Sequence, residues 1–350
     1  MRKGFQPQRA IDTLGLGRVI LSLVICSLTA STRPAYGATL TTFDAPGAVN
    51  GAFSAENNAA GSITGYYLDG AKAAHGFIRT LRGIFISFDV PGARTTKDEG
   101  TYPVAINSAG TIAGYYDTSS GVSGFVRTSN GKITTFDVPT IDGTFPTDIN
   151  DPGTIVGEYD DEVGRTFGFL RRPNGSTSEI SAPPGAVKIT SINSAGAIAG
   201  YSYFNGLDLY QGFVLFPNGT IKIFQTPHAG AGAFEGTRVY GINPAGTIVG
   251  DYVDDQDVTH GYLRAANGKV TEFDVPGAYY TSPTSINSAG TIIGTYYDDV
   301  GIGTHNFIRA NSGRFTSFDL DASELTIDPA GSIVGTYDDA KGSHGFLRTP

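Results

Sequence analysis

Apolar residues come along this chain in short runs, each ended by Gly, Asn, Pro or Asp. Ile248-Val249-Gly250-Asp251-Tyr252-Val253, Gly261-Tyr262-Leu263 and Val270-Thr271-Glu272-Phe273 are typical. β-branched and aromatic residues fill these runs and turn formers bound them, so each is expected to be a short strand. The runs also recur in a fixed order. A turn of the form Asn-x-x-Gly, with Asp in place of Asn in the last copy, followed by a small, β-branched run, has its Gly at 61, 110, 153, 196, 246, 290 and 331, at spacings of 49, 43, 43, 50, 44 and 41. A Gly-aromatic-aliphatic run, Asn306-Phe307-Ile308 in one copy, follows each turn, as in Gly76-Phe77-Ile78 and Gly345-Phe346-Leu347, and a third element such as Ile133-Thr134-Thr135-Phe136-Asp137 closes the unit.

The copy around Gly246 shows four strands. Strand A ends at Ile242-Asn243, and Asn243-Pro244-Ala245-Gly246 has the residues of a type I turn. Strand B is Thr247 to Val253, strand C is His260 to Ala265, and Asn267-Gly268 turns the chain into strand D, Lys269 to Asp274. The copy with Asn150-Asp151-Pro152-Gly153 is expected to depart, because its Pro falls at i+2, where type I is disfavoured.

Seven copies of four antiparallel strands, each about 45 residues long, predict an all-β, seven-bladed β-propeller. The ends of the chain refine that expectation. Leu40-Thr41-Thr42-Phe43-Asp44 reads as a lone D strand, and His344-Gly345-Phe346-Leu347-Arg348 as a final C strand lacking its D. The N-terminal strand would then complete the last blade and leave no open sheet edge.

Composition narrows the setting. The first 37 residues read as a cleaved signal peptide: Arg2, Lys3, Arg9 and Arg18 precede the apolar run Val19 to Leu28, and Ala35-Tyr36-Gly37 offers a cleavage site. Residues 38–350 would be the propeller, secreted or periplasmic, without membrane insertion, and acting as a monomer. Removing the leader takes away Cys26, so no disulfide or thiolate chemistry remains. It also leaves 19 basic against 32 acidic side chains, a formal charge of −13. So acidic a surface disfavours nucleic acid and anionic membranes and leaves cations, neutral glycans and basic proteins as partners.

The run Ile286-Asn287-Ser288-Ala289-Gly290-Thr291-Ile292-Ile293-Gly294, the His344 to Arg348 unit and Phe273-Asp274-Val275-Pro276-Gly277-Ala278 together resemble the bacterial extracellular HAF repeats. The resemblance covers nearly all of the chain after the leader. It departs in having Gly where the family name has Ala, and Arg where many members carry Trp after the Leu. It implies a secreted bacterial repeat protein, and no reaction.

In a four-stranded blade the A-to-B and C-to-D turns share one face, while the B-to-C loops and D-to-A crossovers share the other. The first set is short and uniform. The second is long, variable and acidic, with Asp69, Asp117, Asp160-Asp161, Asp254-Asp255, Asp298-Asp299 and Asp338-Asp339 after strand B. Binding usually resides on such loops. A residue repeated in every copy serves the scaffold, so Arg79, Arg127, Arg171, Arg264, Arg309 and Arg348 are read as structural ion pairs or rim charges. Asp44, Asp89, Asp137, Asp274 and Asp319 are read as acceptors for turn amides, and His75, His260, His305 and His344 as donors to loop carbonyls. Asp254, Asp255 and Asp257 form the densest acidic group and are the candidate metal ligands, with calcium the cofactor they suit.

One copy breaks the pattern. Tyr201, Tyr203, Phe204, Asn205, Asp208 and Tyr210 stand where other copies carry the double Asp, and the next crossover holds His228, Phe234 and Glu235. Aromatic rings beside Asp, Asn and His suit a sugar or a peptide, so these nine are the candidate ligand-binding residues. No nucleophile elbow, zinc-helix motif or phosphate loop occurs. The chain is therefore read first as a secreted binding module for a glycan, peptide or protein. A polysaccharide lyase or hydrolase using Asp and His on the same face is the alternative, and a structural envelope component a third.

Overall fold

The computed structural model describes residues 37–49, 51–138, 143–161, 164–180, 185–204, 209–298, 304–318 and 320–350. Every regular element among them is a β-strand. The strands pair in antiparallel groups of four spanning 52–88, 101–136, 143–180, 186–224, 236–273 and 278–318. A last group, 322–349, takes its fourth strand, Thr39–Phe43, from the other end of the chain. In the 236–273 group, strands A to D are Gly236–Ile242, Ile248–Val253, Thr259–Arg264 and Val270–Phe273.

Each group is pinched at a glycine in strand B. A bulge in strand A brings backbone so close that a Cβ on Gly65 or Gly250 would lie 2.0 Å from the carbonyl oxygen of Phe53 or Arg238. Only glycine fits there.

The A-to-B turns form a hydrogen-bonded relay. Each Asn accepts an amide of its own turn, as in Thr111 N–H to Asn107 Oδ1 at 2.9 Å, and donates Nδ2 to the matching carbonyl of the next group. The relay runs Asn58 to Asn107, Asn107 to Asn150, Asn150 to Asn193, Asn193 to Asn243, Asn243 to Asn287 and Asn287 to Asp328, at 2.9–3.2 Å. It stops at Asp328, whose carboxylate has no N–H to pass on, and Asn57 Nδ2 bonds Ser332 O at 3.2 Å instead. The turn containing Pro152 does not depart: Gly153 N–H donates to Asn150 O at 2.9 Å like its counterparts. Its Asn150 is anchored by the relay on both sides, which outweighs the preference of Pro.

Groups pack on one another through the Phe that ends strand D. Phe88 meets Phe125 of the next group edge-on at 6.1 Å, and the Arg127 guanidinium covers the same ring at 4.8 Å. Arg171 on Phe136, Arg264 on Phe224, Arg309 on Phe273 and Arg348 on Phe318 repeat this. The repeated arginines are thus cation–π partners between groups, not carboxylate partners, and burial lowers their pKa values. Where strand D ends in Ile180 instead of Phe, the matching residue of the next group is Leu215, and the two pack in one apolar cluster. The seam between chain ends uses the same contacts. Phe43 meets Phe77 at 6.4 Å and Arg79 covers Phe43 at 4.8 Å, while Ser54 N–H donates to Thr336 Oγ1 at 3.1 Å.

Candidate functional site

The two ends of the strand groups differ. At one lie the turns of the relay; at the other the crossovers bond to the ends of strand B, as in Leu68 N–H to Gly51 O, Asp117 N–H to Gly100 O and Gly230 N–H to Val253 O, all 2.9–3.0 Å. The residue after the pinched glycine pairs with strand A near this loop end. Around the molecule these pairs are Phe53–Tyr66, Tyr102–Tyr115, Phe145–Glu158, Lys188–Tyr201, Arg238–Asp251, Ser282–Thr295 and Ser323–Thr336. The backbone setting is constant and the chemistry changes, from stacked rings to charges to hydroxyls.

A cavity of about 480 Å³ opens where the charged and aromatic pairs meet, lined by Tyr201, Tyr203, Tyr210, Phe234, Glu158, Thr166 and Lys188. Tyr210 sits 5.8 Å from Tyr201 and 6.3 Å from Tyr203. Lys188 Nζ bonds Glu158 Oε2 at 3.0 Å, and the other carboxylate oxygen accepts the Ile189 amide at 2.8 Å. Burial raises the Glu158 pKa against the pull of Lys188, and it pushes Tyr201 up to about 12. Behind the wall, fully buried Asp251 accepts from Arg238 Nε at 2.7 Å and Ser282 Oγ at 2.7 Å, and Arg238 in turn lies over Tyr210 at 5.4 Å. This network fixes the ring that the cavity presents.

Four of the sequence-predicted binding residues, Tyr201, Tyr203, Tyr210 and Phe234, therefore line one cavity. Two others are occupied elsewhere. His228 Nδ1 bonds Glu272 at 2.6 Å on the outside, and the Glu235 carboxylate accepts the Gly232 amide within its own loop. Asn205, Asp208 and the Phe204 side chain lie outside the described residues, as do Asp299 and Asp319. Sequence reasoning missed Glu158, Thr166 and Lys188, which neighbouring strands supply.

The acidic loop residues act mainly as backbone caps. Asp254 Oδ1 accepts the Gln256 and Val258 amides, both at 2.9 Å, and Asp69 Oδ1 accepts those of Ala71 and Ala73 at 2.8 and 2.9 Å. For Asp254 these bonds outweigh burial and lower the pKa. With Asp254 so committed, Asp254, Asp255 and Asp257 do not come together, and no metal-holding group of His, Cys, Asp or Glu forms among the described residues.

The histidines also differ from expectation. His75 Nδ1 faces Asp89 at 2.9 Å and its Nε2 faces Asp69 at 3.5 Å; His260 bridges Asp274 and Asp254 at 3.0 and 3.3 Å. His344 joins Asp44, on the far side of the chain seam, to Asp339 at 2.7 and 3.1 Å. For His75, His260 and His344 the partners are carboxylates, not loop carbonyls, and Asp89, Asp274 and Asp44 serve these histidines instead of turn amides. The imidazole also stacks on a strand B tyrosine, as Tyr252 on His260 at 5.1 Å. A repeated clamp of this kind ties strand C to the loops on either side.

Two further cavities lie among the described residues. One of about 380 Å³ is lined by Tyr66, Tyr102, Tyr115 and Glu324. The other, about 360 Å³ at the turn end, gathers strand A residues from every group. There Glu56 accepts the Ile106 amide at 2.7 Å, and Asp148 accepts the Ile192 amide at 2.8 Å and Ser191 Oγ at 2.9 Å. Burial raises both carboxyl pKa values.

No family model matches the chain, and no curated protein matches it. Among solved structures, virginiamycin B lyase from Staphylococcus aureus is similar at a TM-score of 0.58 and 14% identity, covering 89% of this chain and 99% of that one. A catalytically inactive form of that lyase, with quinupristin, gives 0.54 at 13% identity, again over 89% and 99%. A puromycin hydrolase gives 0.57 at 11% identity over 87% of this chain and 54% of that one. At such identities the likeness is one of fold: this is an all-β, β-propeller-like protein.

Proposed function

We propose that the chain is an exported, closed seven-bladed propeller of the HAF-repeat kind that acts as a binding module, with a glycan seated in the tyrosine-lined cavity at the loop end. The ring reading is supported by the seam, where Thr39–Phe43 pairs with Gly342–Thr349 and the Phe–Phe, Arg–Phe and His–Asp contacts of the other groups recur. The leader pattern supports export. No described helix is long and apolar enough to cross a membrane.

The binding reading rests on one observation, the gathering of Tyr201, Tyr203, Tyr210 and Phe234 around Lys188, Glu158 and Thr166. Rings of this type cover the apolar faces of a sugar, while the ammonium, carboxylate and hydroxyl groups meet its hydroxyls. Lys188 and Glu158 neutralise each other, so the cavity asks for a neutral or weakly charged ligand. Screening a polysaccharide and oligosaccharide panel tests this: the account expects retention of a glycan without product, weakened by Tyr201→Ala. Turnover, or retention unaffected by that change, would count against it.

A further inference from the structure

The cavity lined by Tyr66, Tyr102, Tyr115 and Glu324 shares no residue with the one around Lys188. Its wall is a continuous aromatic stack. Phe53 lies on Tyr66 at 4.8 Å, Tyr66 meets Tyr102 edge-on at 5.0 Å, and Tyr102 stacks on Tyr115 at 5.0 Å. Each ring is braced by the next, so the wall is fixed before any ligand arrives.

Among the described residues, Glu324 is the one charged side chain lining the cavity, and no Lys, Arg or His shares that space. It sits in a strand A bulge between Ser323 and Thr326, with φ at 54°, a left-handed conformation that costs a non-glycine residue energy. Its hydrogen bond from Thr336 Oγ1 is long, at 3.5 Å. Glu324, Tyr66 and Tyr115 line the same cavity, burial raises the Glu324 pKa, and its charge helps to raise those of Tyr66 and Tyr115.

A strained carboxylate without a counter-cation in its cavity, set among electron-rich ring faces, is complementary to an organic cation and to little else. A neutral sugar leaves the carboxylate without its charge partner, and an anion is repelled. From this geometry we infer that the Tyr66–Tyr102–Tyr115–Glu324 cavity is a binding site for an alkylammonium group.

Tetramethylammonium and choline are the probes, with 3,3-dimethyl-1-butanol as the neutral counterpart of choline's shape. With 18 tyrosines in the chain, intrinsic fluorescence does not single out the site, so calorimetry gives the affinity and the variants locate it. The expected result is saturable binding of both cations at millimolar concentration or better, weakened about tenfold or more by Glu324→Gln and by Tyr102→Ala, and unchanged by Tyr203→Ala. Glu324→Gly, which relieves the left-handed strain, should melt no lower than the parent and still lose the cations, separating binding from folding. The inference is overturned if neither cation saturates, if the neutral alcohol binds as well as choline, or if either Glu324 variant keeps the parent affinity.

Discussion

The turn end and the loop end of this protein are built from the same repeats and follow opposite rules. At the turn end, successive Asn side chains make the same two hydrogen bonds, and the turns differ so little that Pro152 changes nothing. At the loop end the backbone is equally regular, pinched at the same glycine, yet the next residue is Tyr66, Tyr115, Glu158, Tyr201, Asp251, Thr295 or Thr336. Uniformity marks where groups must be held together. Variation on a fixed backbone marks where the surface is free to take up chemistry.

Removing the strand Thr39–Phe43 is the most drastic way to break that comparison, because it strips the scaffold from both ends at once. Phe43 is 9% exposed and packs on Phe77 and beneath Arg79. A loss of about 5 kcal/mol or more is expected, read as a melting temperature lower by roughly 10 °C or more. A truncated protein that melts like the intact one would contradict the seam.

Changing the relay sharpens the comparison from the turn end. Asn193→Ala leaves the Ala195 and Ala197 amides without their acceptor and takes from the Asn243 carbonyl one of its two donors, at a cost of about 2–4 kcal/mol in chemical denaturation. Asp328→Asn should act in the opposite direction. An amide there can donate to the first group as every other relay Asn does to its neighbour, for a gain of about 0.5–1.5 kcal/mol. Neither change should alter ligand binding at the loop end.

The smallest effect is expected at His344. Its hydrogen bond to Asp44 raises the imidazole pKa, with Asp339 adding to it. The folded protein thus holds the proton more tightly than the unfolded chain. This stabilisation is complete below the ordinary value of 6.5 and fades as the pH climbs through the raised one. Melting temperatures measured from pH 5.5 to 8.5 should fall more in the parent than in His344→Gln, by a margin that solvent screening keeps small.

Much of this was legible in the sequence, and the omissions have physical causes. Turn residues and β-branched runs placed the strands of the 236–273 group to within a residue, because those signals act locally. The Arg and the His of strand C were visible as repeated residues, yet their partners belong to another group or to a loop beyond strand D. Spacing within one unit says nothing about contacts between units. The paired exchange of Phe for Ile180 and Arg for Leu215 was a usable sign of the cation–π stack. In the candidate site, the aromatic loop residues drew notice because they interrupt a repeat, whereas Glu158 and Lys188 sit inside regular strands. Comparing the residue after each pinched glycine across the copies would have exposed the interior-lining position.

Affinity for the best-retained glycan, measured side by side for the parent, the Tyr201→Ala/Tyr210→Ala variant and Asn193→Ala, puts the division of labour between the two ends to its most direct test. The account predicts a drop of at least about tenfold for the double tyrosine variant, measured at a temperature where it is fully folded, and parent affinity with lowered stability for Asn193→Ala. Equal affinity in the tyrosine variant, or loss of binding in the folded Asn193→Ala protein, would contradict it.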